Sequence, residues 1–230
     1  MLYQEKEFSF LMLGILIPIV GHSHRQLILV VISSFFGDEG ILFCKPGDSE
    51  YQRQDQFAKK LSNISSVGGK IYGIIGRVVH AFEFEESRLE LKPILEASWL
   101  PYPTPPHISC NYAKYYVIRS QYDDELLIVE KQAIGLFGFE VSHFGVYKAN
   151  FTRDKGWIKI NDMGTRTVFL DSYCYEGMCC STTDPAIKKN SIYYLNGDNK
   201  YIYVWDLEEQ KGNNAFAFRG RGRTTLFALD

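Results

Sequence analysis

The chain has 230 residues, 46% hydrophobic and 23% charged, which is the balance of a folded globular protein and argues against wholesale disorder. A formal net charge of -2 argues against a nucleic-acid or membrane-surface protein, because phosphate binding needs a concentrated basic face. Fifteen Tyr, sixteen Phe and three Trp suit half-buried pleated surfaces and so favour strands.

Phe8 to Val20 (FSFLMLGILIPIV) is apolar and free of charge, yet shorter than the ~20 residues that cross a bilayer. As a secretory signal or anchor it lacks a positive lead, since Glu5 and Glu7 flank Lys6; the alternatives are a buried strand pair or the ragged start of a truncated gene model. Leu27 to Ser33 (LILVVIS) has the continuous apolar character of a strand covered on both faces. Gly40 to Cys44 follows, ended by the Lys45-Pro46-Gly47-Asp48 turn. Tyr51 to Leu61 is the best helical candidate, with Phe57 and Leu61 four apart, and reads as a short surface helix or loop. Lys70 to Ile75 and Val78 to Phe84 form two strands across a Gly-Arg step, with Arg88 to Leu91 as a third. Pro93, Pro101, Pro103, Pro105 and Pro106 predict a stiff connector in which strands are disfavoured.

In the second half, Tyr115 to Arg119 and Glu125 to Glu130 make one hairpin. Phe144 to Phe151 and Trp157 to Ile160 make another, followed by Thr167 to Leu170. Ser191 to Leu195 and Lys200 to Leu207 flank Asn196-Gly197-Asp198-Asn199, a strong hairpin turn. Along the last strand Tyr201, Tyr203, Trp205 and Leu207 share a face that is either an inter-sheet core or an exposed binding stripe. Gly68 to Phe84 resembles Lys189 to Leu207. Their Tyr72 and Tyr193 are 121 positions apart, which suggests three blade periods of ~40 residues. Recurrent short strands with both faces covered predict an all-β, propeller-like fold of antiparallel blades, incomplete or open.

No constellation asks for chemistry. The five cysteines (44, 110, 174, 179, 180) match neither a disulfide framework nor a zinc pattern, and read as reduced thiols of a nuclear or cytoplasmic protein. His22 and His24 lack a nearby third ligand, and His80, His107 and His143 are isolated. Acidic clusters at Asp123, Asp124 and Glu125 and at Glu83, Glu85 and Glu86 would serve a hydrolase only if they converged with raised pKa values. There is no nucleophile elbow, phosphate loop or dinucleotide fingerprint. Arg219 to Arg223 (RGRGR) reads as a solvated loop. Sequons at Asn63 and Asn150 matter only in a secreted chain. No catalytic, cofactor, metal or partner-binding residue is therefore nominated, and no cofactor is expected.

Six segments, in order, resemble the propeller domain of the plant KIB-type F-box family. They are Leu42 to Asp48 (LFCKPGD), Gly69 to Phe82 with its GRVV, Tyr115 to Val129, Phe144 to Ile160, Met163-Gly164 with Val168 to Leu170, and Asn190 to Glu208 ending in WDLE. Asp124-Glu125 stands where the family has Gly-Glu. The resemblance spans Leu27 to Lys211 and implies a protein-binding propeller, the target-recognition part of a ubiquitin-ligase adaptor, with no enzymatic activity. Residues 1–26 show no F-box, so a ligase scaffold is expected as partner only if an F-box is supplied. The expected organisation is an apolar segment over 1–26, a propeller over 27–211 and a C-terminal segment over 212–230. Alternatives are a truncated fragment or a propeller hydrolase using rim carboxylates.

Overall fold

The computed structural model describes residues 13–19, 26–33, 40–44, 49–50, 52–54, 61–68, 70–85, 90–99, 112–121, 125–134, 140–150, 156–171, 177–195 and 201–217. Every regular element among them is a strand. The first sheet is β1 (Leu13–Ile19), β2 (Gln26–Ser33), β3 (Gly40–Cys44) and β4 (Gln52–Gln54), each antiparallel to the next. The second is β5 (Leu61–Val67), β6 (Lys70–Ile75), β7 (Val78–Glu85) and β8 (Glu90–Trp99). The third is β9 (Tyr112–Arg119), β10 (Leu126–Ile134), β11 (Glu140–Asn150) and β12 (Gly156–Ile160). The fourth contains β13 (Arg166–Leu170), β14 (Gly177–Ser181), β15 (Ser191–Leu195), β16 (Tyr201–Asp206) and β17 (Lys211–Ala217).

Each sheet offers one edge strand to its neighbour. β1 touches β5, β5 touches β9, and β9 touches β14. The sheets thus meet chiefly along one set of edges, with β8 and β12 also touching, a β-propeller-like architecture. The third sheet shows why its sequence lacks clean alternation. Along β10, Leu127 and Val129 enter a core shared with the fourth sheet, while Leu126 and Ile128 enter a core shared with the second. β9 divides likewise, Tyr116 and Ile118 going one way and Val117 the other. A strand covered on both faces has no solvent side, so a continuous apolar run is what burial selects.

Several expectations need correction. Gln52–Gln54, inside the helical candidate, is a strand paired with β3, and Leu61 opens β5; a window of eleven polar-rich residues carries too little periodicity to outweigh sheet pairing. β8 begins within the expected Arg88 to Leu91 strand but runs on to Trp99 through Pro93, opposite Phe82, where a connector was expected. The position is tolerable because β8 is the outer edge strand and the ladder shifts register at Val79/His80 and Ala81/Phe82. The Tyr72 and Tyr193 segments lie in the second and fourth sheets, two sheets apart rather than three. The blades are antiparallel with one exception: β13 is antiparallel to β14 but parallel to β15, wedged between them, which makes this sheet five-stranded. β5, β14 and β17, which no apolar pattern announced, complete their sheets from Ser, Asn, Gly and Cys-rich segments.

Within residues 1–26, the apolar stretch contributes β1, paired along its length with β2. Among the described residues no helix is long and apolar enough to cross a membrane. The turns at 45–48, 122–124, 152–155 and 196–199, the prolines at 101–106, the arginines at 219–223, His22, His24, His107, Cys110, Cys174, Glu86, Asp123 and Asp124 lie outside the described residues.

Candidate functional site

The motif residues mostly turn and stitch the chain. Gly76 of GRVV has φ +63°, the left-handed conformation glycine adopts without Cβ strain, at the β6–β7 turn. Gly164 repeats this at φ +64° between β12 and β13. Asn190, at φ 52°, accepts a hydrogen bond from Met163 N on its side chain (2.9 Å), and its backbone carbonyl accepts from Leu207 N (3.2 Å). Asp206 of the WDLE segment accepts from Glu208 N (2.8 Å) and Glu209 N (3.0 Å) and pairs with Lys188. Burial pushes the Asp206 carboxyl up, but the Lys188 bond and these two amides outweigh it and hold it below the ordinary carboxylate value.

The aromatic stripe is core. Trp205 meets Phe144 of the third sheet edge-on at 5.5 Å, and Tyr203 stacks on Tyr194 at 5.4 Å. Trp205, Phe144 and Tyr194 are all buried, so these three rings join two sheets instead of offering a docking surface. The side chain of Tyr201 lies outside the described residues.

Between sheets, polar side chains take over the stitching. Asn63 sits in a β5 bulge at φ 54°, buried, and its amide bridges β9: Nδ2 donates to Tyr115 O (3.4 Å) and Oδ1 accepts from Val117 N (3.1 Å). Its sequon is therefore closed to glycosylation in the folded chain, since the acceptor nitrogen is spent inside the sheet contact. Asn150, of the second sequon, ends β11 half-buried. On the other side, Gln121 N donates to Cys179 O (2.9 Å), beside the parallel bridge between Ser120 and Cys179.

Two buried charges that the sequence reading passed over lie side by side in β10. Glu130 faces the second sheet and accepts from Tyr147 Oη (3.0 Å), Gln132 Nε2 (2.9 Å) and Tyr115 Oη (3.4 Å). Desolvation, then the Glu130 charge, push the Tyr115 phenol up to about 12. Lys131 faces the fourth sheet, its Nζ 5.3 Å from the centre of the Tyr194 ring. Opposite it in register stands Lys114, over the Tyr116 ring at 5.1 Å. The available signal was the charged pair inside an apolar run that resumes at Ala133.

The acid cluster at the third hairpin does not assemble a catalytic dyad among the described residues. Glu125 pairs with Lys148 and with Arg166 Nη1 (3.1 Å). Burial raises its pKa, but those hydrogen bonds outweigh it and leave the carboxyl below the ordinary range, the wrong direction for a general acid. The side chains of Glu83 and Glu85 lie outside the described residues. Among the described residues no group of three His, Cys, Asp or Glu could hold a metal. His80 is half-buried, 6.1 Å from Phe82 ring to ring. Burial, then the Lys159 charge, lower the pKa of His143 against a hydrogen bond with Gln210. Cys179 is a buried thiol outside any disulfide and Cys180 a half-buried one whose pKa burial raises.

Successive four- and five-stranded sheets that meet at their edge strands agree with the comparison to known families: residues 15–219 match the KIB1-4 beta-propeller model. The chain belongs to the KIB1-4 beta-propeller family. A relative from Arabidopsis thaliana named "Putative F-box protein" is 24% identical over 179 residues, covering 75% of this chain. The chain spans about half of that relative's length, 46%. In this KIB1-4 propeller, then, the described motif residues build blades, and the buried polar groups of β10 are the chemically distinctive feature.

Proposed function

We propose that this chain is the target-recognition propeller of an F-box-type adaptor and binds a protein through the loops that connect its strands, without catalysis of its own. The observation that carries the reading is the family match over 15–219, together with a relative that bears the F-box name. A third sheet covered on both faces supports it, because such a scaffold leaves the connecting loops as the variable surface. Coupling to a ubiquitin-ligase scaffold would require an F-box, in this chain or in a partner, and places the work in the nucleus or cytoplasm. The pairing of Glu125 with two cations tells against the hydrolase alternative at that hairpin.

The test is affinity capture of the tagged chain from plant extract, read by mass spectrometry. One specific protein, enriched over an unrelated propeller bait, is the expected result. Co-recovery of the ligase scaffold would extend the reading to adaptor function. Recovery of chaperones alone would overturn it.

A further inference from the structure

We propose that Lys131, with Lys114 facing it across β9 and β10, forms a binding site for a small oxyanion, a carboxylate or a phosphate, between the third and fourth sheets. Lys131 is 7% exposed, and among the described residues no hydrogen bond or ion pair reaches its ammonium group; the face of the Tyr194 ring is its polar contact. An ammonium has three N–H donors, and burying it without an acceptor is costly. The register sets Lys114 directly opposite, so two cations share one sheet face.

The described groups around the pair are Asp171, just beyond β13, Tyr116 on β9, Tyr194 on β15 and Tyr203 on β16. Asp171 is the carboxylate among them, and its charge favours the protonated form of Lys114. Among the described residues, two ammonium groups thus stand near one carboxylate at a largely buried position. Glu130, one residue away on the opposite face, shows the contrast, with three donors meeting its carboxylate. Desolvation brings both amines down to about 8, with the Lys131 charge adding to the effect on Lys114. An anion at Lys131 would supply the missing acceptor and restore the proton. Lys114, less buried than Lys131, marks the way in.

The experiment titrates inorganic phosphate, acetate and chloride at matched ionic strength against the 230-residue chain, following the melting temperature. Binding to the folded state alone raises that temperature as ligand saturates the site. A saturable rise with phosphate or acetate, absent with chloride, is expected. Which of the two anions saturates assigns the class. Lys131→Met keeps the apolar stem and removes the charge, and should weaken binding by about tenfold or more, while Lys131→Arg should retain it. Calorimetry at pH 8 in two buffers of different ionisation enthalpy should show proton uptake with anion binding. An equal rise with chloride, an unchanged response in Lys131→Met, or no proton uptake would overturn the site.

Discussion

The two faces of the third sheet solve the same problem in opposite ways. Towards the second sheet, Asn63, Tyr115 and Tyr147 place hydrogen bonds between strands, and the buried Glu130 carboxylate is met by three donors, the third from Gln132 of its own strand. Towards the fourth, Phe144, Trp205, Tyr194 and Tyr203 make the contact by ring packing. There polar groups go short: among the described residues Trp205 Nε1 is buried with no hydrogen-bond partner, and the Lys131 ammonium lies over the Tyr194 ring. The difference teaches that burial on both faces does not itself require hydrophobicity on both. A polar core is stable when each member finds a partner, and an apolar one tolerates a charge only at a cost.

The largest expected effect is on the polar face. Glu130→Ala leaves two phenols and an amide without their acceptor, and should lower stability by about 4 kcal/mol in a urea titration. A loss under 1 kcal/mol would mean water replaces the carboxylate and the face is not a closed network. Asn63→Ala removes both bonds to β9 and puts a Cβ residue without a polar side chain at positive φ, for about 3 kcal/mol. Asn63→Gly relieves the backbone part and should recover about 1 kcal/mol of that loss.

On the aromatic face the expected effects are smaller and differ in sign. A Cβ at Gly177 would stand 2.5 Å from Ile118 Cγ2 and 2.8 Å from Leu170 Cδ2, so Gly177→Ala should cost about 2 kcal/mol through overpacking. Lys131→Met should instead raise stability by about 1–2 kcal/mol, because it removes a buried charge and keeps the stem. The pH dependence provides a separate check. The Lys131 amine has a pKa of about 8 in the folded chain, below its ordinary value, so the unfolded chain holds the proton more tightly. Its penalty is fully present below pH 8 and fades as pH rises, so stability should climb between pH 8 and 10, with a shallower slope in Lys131→Met. Above pH 10 the buried phenols Tyr115 and Tyr194, both pushed to about 12, act the other way, which sets the upper end of the window. The smallest effect belongs to an exposed ion pair within the third sheet: Lys148→Ala, at a side chain 43% exposed, should cost about 0.5 kcal/mol and less in high salt.

What the sequence alone determined follows from local physics. Apolar runs such as LILVVIS, hydrophobic hairpins flanked by turn residues, and glycines at the β6–β7 and β12–β13 turns specify strands and reversals wherever they occur, so the all-β class and most strands were legible. The ordered motifs also carried the family. What only the tertiary structure decided concerns partners distant along the chain. β5 is a strand despite its serines and Asn63 because β6 and β9 supply acceptors and donors for it. β13 sits between β14 and β15 because a parallel pairing, which no short turn announces, fills that gap. Glu130 and Lys131 are neighbours of like burial in one strand, yet one is satisfied and the other is not. The period-two alternation sends them to opposite faces, and the residues waiting there come from other strands and other sheets.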